Sequence, residues 1–109
     1  MAELARDRDG DVRCNVAGNL STPPEILTKL SRDRDSVIMY YVARNTSTPT
    51  KSLVELARDE DSTARLRVAG NPSTPLEVLL ILMVDDDKDV RERAEEALSK
   101  RVQNTHQSG

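Results

Sequence analysis

Asp85, Asp87 and Asp89, with Glu96 further along, repeat the 1, 3, 5 and 12 spacing of a calcium-binding loop. That loop needs glycine at its sharp turn, and Val90 stands there instead, where helix signals begin. The aspartates also belong to two ladders, Asp7, Asp33, Asp59 and Asp85, and Asp9, Asp35, Asp61 and Asp87. A short carboxylate ahead of each helix accepts its first free amides, so N-capping plus solvated turn charge explains both ladders without a metal. Arginines stack as well: Arg6, Arg32 and Arg58, then Arg13, Arg65 and Arg91, then Arg67 with Arg93. Guanidinium forks suit carboxylates and phosphates. Arg13, Arg65, Arg67, Arg91 and Arg93, gathered near Tyr41, therefore make a candidate strip for an anionic partner. The simpler reading is pairing with aspartates of the adjacent repeat.

Nothing here builds a nucleophile. Ser and Thr recur at fixed positions, as caps and turns require, and no glycine-rich phosphate loop occurs. Cys14 has no visible activating base, and His106, the single histidine, lies near the C-terminus away from any Ser or Cys. The expectation is a non-enzyme with no cofactor and no metal.

What positions these residues is a repeat. Leu4, Leu30, Leu56 and Leu82 are 26 residues apart, and Val16, Val42 and Val68 keep the same step. So do Asn19, Asn45 and Asn71, and the Ser-Thr-Pro triplets that begin at Ser21, Ser47 and Ser73. A fixed period of this size marks a solenoid, whose units bury their apolar faces only against their neighbours. Within a unit, Thr22-Pro23-Pro24-Glu25 is a helix start with Thr as cap and Glu reaching back. Ile26, Leu27 and Leu30 follow as one stripe; Asp35 then caps a second helix whose buried stripe is Ile38, Val42 and Ala43. Asn45 ends that helix, as a residue tolerant of left-handed backbone. Both stripes have α spacing, and helices this short need stacking to be stable.

The string Val68-Ala69-Gly70-Asn71-Pro72-Ser73-Thr74-Pro75-Leu76-Glu77-Val78-Leu79, followed by Asp87-Lys88-Asp89-Val90-Arg91, closely resembles the leucine-rich repeat variant family. The first repeat matches at Val12, Arg13, Val16, Ala17, Asn19, Thr22, Pro23, Glu25, Leu27, Leu30, Asp33 and Asp35. The resemblance implies an all-α, right-handed superhelix of HEAT-like style in which one helix of each pair tends to be 3₁₀. This sequence departs from the pattern at Leu20 and Thr46, in place of proline, and at Met39 and Ala64, which interrupt a Val-Arg pair. Some members carry a cysteine-rich iron–sulfur region; one cysteine here means no cluster carries over.

Composition narrows the partner. The 109 residues carry 16 basic and 19 acidic side chains, a net charge of −3, with no Trp or Phe. An acidic chain poor in stacking groups argues against nucleic acid. The longest apolar run, Val78 to Val84, is too short for a membrane span, and the first residues form no signal peptide, so a cytoplasmic location is expected. Residues 1–101 read as one repeat domain and 102–109 as a disordered tail. The helix at 75–84 is apolar nearly all round: Leu80-Ile81 stand where its siblings have Thr28-Lys29 and Val54-Glu55, and Val84 where they have Arg32 and Arg58. Either the terminal helix covers this patch or a second chain does. The N-terminal unit is a stub around Leu4, which suggests a fragment of a longer array or pairing through that end. The function expected is a scaffold that binds a protein through the arginine and Tyr41 strip. The second reading is self-association through Leu80, Ile81 and Val84 or the bare N-terminus.

Overall fold

In the computed structural model residues 10–33 and 35–108 are described, with side chains as far as Val102; the stub around Leu4, and the ladder members Arg6, Asp7 and Asp9, lie outside the described residues. The described chain is all-helical. Its elements are α1 (Gly10–Gly18), α2 (Pro24–Leu30), α3 (Ser36–Arg44), α4 (Thr50–Leu56), α5 (Ser62–Ala69), α6 (Leu76–Leu82) and α7 (Lys88–Ser108). Helices α1, α3, α5 and α7 pack in that order as one continuous layer. Helices α2, α4 and α6 each pack against the layer helices that precede and follow them.

The apolar stripes form the core. Val16, Ala17, Ile38, Val42, Ala43, Val68, Ala69, Val90 and Ala94 seal the layer, and Leu27, Leu30, Leu53, Leu56, Leu79 and Leu82 close it from the shorter helices. Leu27, Ile38, Val42, Leu53, Val68, Leu79 and Val90 are almost wholly withdrawn from water, each contributing about 1.5–3 kcal/mol of burial.

The shorter helices are α-helical, and no 3₁₀-helix occurs among the described residues. Their α character shows in bonds such as Ser31 N–H to Leu27 C=O, 2.9 Å, and Ala57 N–H to Leu53 C=O, 2.9 Å. Three-residue bonds, Ile26 N–H to Pro23 C=O and Asp33 N–H to Leu30 C=O, tighten only the ends.

Two local expectations change. Thr22, Thr48 and Thr74 do not cap the helices that follow them; the N-cap positions are Pro23, Pro49 and Pro75, with no side-chain cap bond. Their hydroxyls turn back and donate to the carbonyls of Val16, Val42 and Val68 near the end of the preceding helix. Asn45 follows α3 in extended backbone, φ −73° and ψ 120°, rather than left-handed. Its side chain does the organising. Asn45 Oδ1 accepts from Ser47 N–H at 2.9 Å, while its amide donates to the carbonyls of Ala17 at 2.8 Å and Asn19 at 3.0 Å. Asn71 repeats the pattern on Ser73, Ala43 and Asn45.

Ala97 takes the Asn position in the last unit, so the termination signal is gone and α7 continues past Arg101 to Ser108. Arg101 reaches the Pro72 carbonyl at 3.1 Å, a loop carbonyl equivalent to those bonded by Ser47 and Ser73 in earlier units. The His106 side chain lies outside the described residues.

Candidate functional site

The aspartate ladders are engaged in the turns. Asp35, Asp61 and Asp87 cap α3, α5 and α7, each accepting from the amide two residues on at 2.9 Å. Asp33, Asp59 and Asp85 accept from the amides of those capping residues at 2.8–2.9 Å. Two carboxylates thus fix each turn. The residues that imitated a calcium loop follow this rule: Asp85 and Asp87 are both held by turn amides, and Asp87 also accepts from Val90 N–H at 3.1 Å.

The arginines divide into two groups. Arg65 is clamped in place: its Nε and Nη2 meet the two oxygens of Asp85 at 2.9 and 3.1 Å, and Nη1 donates to the Asp59 carbonyl at 2.8 Å. Its side chain is 13% exposed and that of Asp85 10%. Arg13 meets Asp33 in the equivalent place at 3.3 Å, and Arg91 donates to the Asp85 carbonyl at 2.7 Å. These three arginines tie layer helices to turns. Met39 occupies their position in α3; there the neighbouring Tyr40 hydroxyl donates to Asp61 at 2.8 Å instead.

Tyr41, Arg67 and Arg93 point out from the layer. Tyr41 lies against Gly18, where an added Cβ would be 3.3 Å from its ring. Arg93 lies on Gly70 in the same way, its Nε only 2.8 Å from where a Cβ would sit. Between these contacts stands Arg44, absent from the sequence-derived strip. Arg44, Leu66, Arg67, Gly70 and Arg93 line one open groove of about 480 Å³. Val37, Tyr40, Tyr41, Arg44 and Arg67 line a second, of about 170 Å³. The two share Arg44 and Arg67 and so form one surface across α3, α5 and α7. No hydrogen bond or ion pair holds Arg44 or Arg67 among the described residues, and Arg93 has only Glu96 at 3.5 Å.

Cys14 is half-buried and packs on the core; burial, and then the charge of Asp35, push its thiol above the ordinary range. Such a thiol is a poor nucleophile at neutral pH. On the other side of the fold, α7 leaves the apolar patch of α6 open: Leu80 is 51%, Ile81 59% and Val84 81% exposed, with Leu76 beside them at 50%.

The leucine rich repeat variant model matches residues 10–35, the span of α1, α2 and the turn that caps α3. Over that span the chain is similar to a leucine rich repeat variant unit. Within it, Arg13, Thr22, Asp33 and Asp35 make the bonds described above, and Asn19 Oδ1 accepts from Ser21 N–H at 2.8 Å. No curated protein and no solved structure matches the chain. No helix of the described residues is long and apolar enough to cross a membrane.

Proposed function

We propose that the protein is a non-enzymatic scaffold, a right-handed solenoid of 26-residue leucine rich repeat variant units, that binds a protein partner along the outer face of α3, α5 and α7. The observation that carries this reading is the pair of unpartnered cations, Arg44 and Arg67, beside the 39% exposed ring of Tyr41. Elsewhere the layer's arginines are tied into turns, so this face holds charge that the fold does not use. An exposed aromatic ring flanked by arginines has the composition of an interface anchor. Tyr41, Arg67 and Arg93 form the contact in this reading, with Arg44 added. Arg13, Arg65 and Arg91 stand behind them as positioning residues.

The test is photo-crosslinking from Tyr41 replaced by benzoyl-phenylalanine, compared with the same probe at Lys51 on α4. A protein adduct specific to position 41 is expected. Adducts only to nucleic acid, or equal labelling from both positions, overturn the reading.

A second reading has its own support. Leu76, Leu80 and Ile81 on α6, with Val84 just past its end, are all at least half exposed, and exposed apolar surface of this kind marks interfaces between chains. Light scattering over a concentration series tests self-association through it. A dimer dispersed by Leu80→Asp with Ile81→Lys supports this reading; a monomer at every concentration removes it.

A further inference from the structure

The cations of the proposed binding face do not run through every repeat: Arg44 recurs in no other unit, and Arg67 recurs only as Arg93. Arg44 stands in the column of Gly18, Gly70 and Glu96, while Arg67 and Arg93 share theirs with Asn15 and Tyr41. Residues that the fold needs, such as the Asn and Thr ladders, recur from the first unit on, whereas the arginine columns hold Gly18, Gly70 and Glu96, or Asn15 and Tyr41, in other units. Nor does packing explain them, because Arg44 and Arg67 are exposed, unpartnered and line the same two grooves, where like charges repel. Each of three successive layer helices thus presents one outward arginine: Arg44 on α3, Arg67 on α5 and Arg93 on α7.

We infer that this face takes an extended acidic protein segment whose carboxylates recur at every third residue. The inference rests on the reading of the face as a protein-binding surface and specifies its ligand. Packed helices lie about 8–10 Å apart. An extended chain in the polyproline II form has three residues per turn and advances about 3.1 Å per residue, so carboxylates three residues apart fall on one side about 9 Å apart and meet arginines on successive helices. The groove lined by Tyr41, Arg44 and Arg67, about 170 Å³, has room for side chains of a partner and not for a whole helix. Tyr41 and Val37, both exposed, give an apolar floor at the α3 end for a residue beside the acidic run. The net charge of −3 repels an acidic segment elsewhere on the protein and directs it to this face. A nucleic acid is a weaker fit: its backbone charge is held by neutralising many phosphates on a basic surface, and three arginines on an acidic chain do not make one.

The experiment is fluorescence anisotropy at low salt with two synthetic peptides of one composition, an apolar residue followed by glutamates. In one peptide the glutamates fall at every third position, and in the other they are contiguous. The spaced peptide is expected to bind about tenfold more tightly than its isomer, and Arg67→Glu to weaken it about tenfold, the sum of a few exposed guanidinium contacts. Lys51→Glu, on the shorter-helix side, leaves its binding unchanged, and unaltered far-UV circular dichroism shows that Arg67→Glu is folded. Equal affinity for the two isomers, lost in Arg67→Glu, overturns the spacing while leaving the face as a binding surface. Binding of neither peptide overturns the acidic ligand, and the Tyr41 crosslink still decides separately whether the face binds protein. Displacement of the spaced peptide by an oligothymidine of equal charge overturns an acidic peptide as the preferred class.

Discussion

Asn71 donates its side-chain amide to the backbone carbonyl of Asn45 at 3.0 Å, and Asn45 donates to that of Asn19 at the same distance. Each asparagine therefore closes its own turn with Oδ1 and fastens itself to the preceding unit with Nδ2. Asn45 and Asn71 are both almost fully buried, as a bond between stacked units requires.

Replacing Asn71 with Ala leaves the carbonyls of Ala43 and Asn45 without their side-chain donor in a buried place. The expected loss is about 1–3 kcal/mol, chiefly from the Ala43 acceptor, since the Asn45 carbonyl still accepts from Thr48 N–H at 3.1 Å. Urea unfolding followed by circular dichroism measures it. A loss under about 1 kcal/mol would mean that water replaces the amide and that the ladder is not what fastens the units.

Arg65 and Arg67 are two residues apart on α5 and should behave oppositely. Arg65→Met breaks the Asp85 clamp and strands a carboxylate in a site only 10% exposed, so destabilisation by about 2 kcal/mol is expected. Arg67→Met removes an exposed, unpartnered side chain and should change stability by less than about 0.5 kcal/mol. Thermal melts of the two variants decide the point; equal losses would place Arg67 in the structural group.

These contrasts show what the sequence could reveal. The buried stripes, such as Ile38, Val42 and Ala43, were legible because helical spacing alone identifies them. The position of Asn45 was legible too, but its bonds to Ala17 and Asn19 were not, since they depend on how one unit stacks on the last. Thr22 misled because a Thr-Pro-x-Glu string is a good local cap, whereas the hydroxyl finds the carbonyl of Val16 in the preceding helix. Arg44 was missed for a geometric reason. Comparison at the repeat step aligns Arg44 with Gly18 and Gly70, yet side chains on neighbouring helices meet along a diagonal, Gly18 with Tyr41 and Gly70 with Arg93. Arg44 and Arg67 are related by that same diagonal.

Two carboxylates set the acid limit of the fold. The amide of Thr63, and then the Tyr40 hydroxyl, hold Asp61 below the ordinary carboxylate range. Burial pushes Asp85 upward, but the Arg65 hydrogen bond, the Asp87 amide and the Arg65 charge together outweigh it and hold Asp85 low as well. A depressed folded-state pKa gives stability that is fully present above the unfolded value, about 3.9, and is lost as pH falls through the folded value. The melting temperature should therefore be insensitive to these groups from neutral pH down to about 5 and fall steeply below about 4. Asp61→Asn with Asp85→Asn should melt lower at neutral pH and show a shallower acid fall. An acid fall as steep as that of the unaltered protein would assign it to other carboxylates.

Gly70 offers a separation of stability from binding. Its backbone is ordinary right-handed helix-end geometry, φ −87° and ψ −4°, so alanine fits without strain and restricts the unfolded chain, worth about 0.4–1 kcal/mol. The added Cβ would meet Arg93 Nε at 2.8 Å and Nη2 at 3.0 Å, atoms at the far end of a flexible side chain that can swing away. Gly70→Ala should therefore melt no lower than the parent protein while moving Arg93 off its seat beside Arg67. If the face holds an acidic segment in step with its helices, the variant binds the spaced peptide more weakly even though its fold is as stable or more so. Weaker binding together with a lower melting temperature would instead mean that Gly70 is needed for packing α7 onto α5, and its role would be structural.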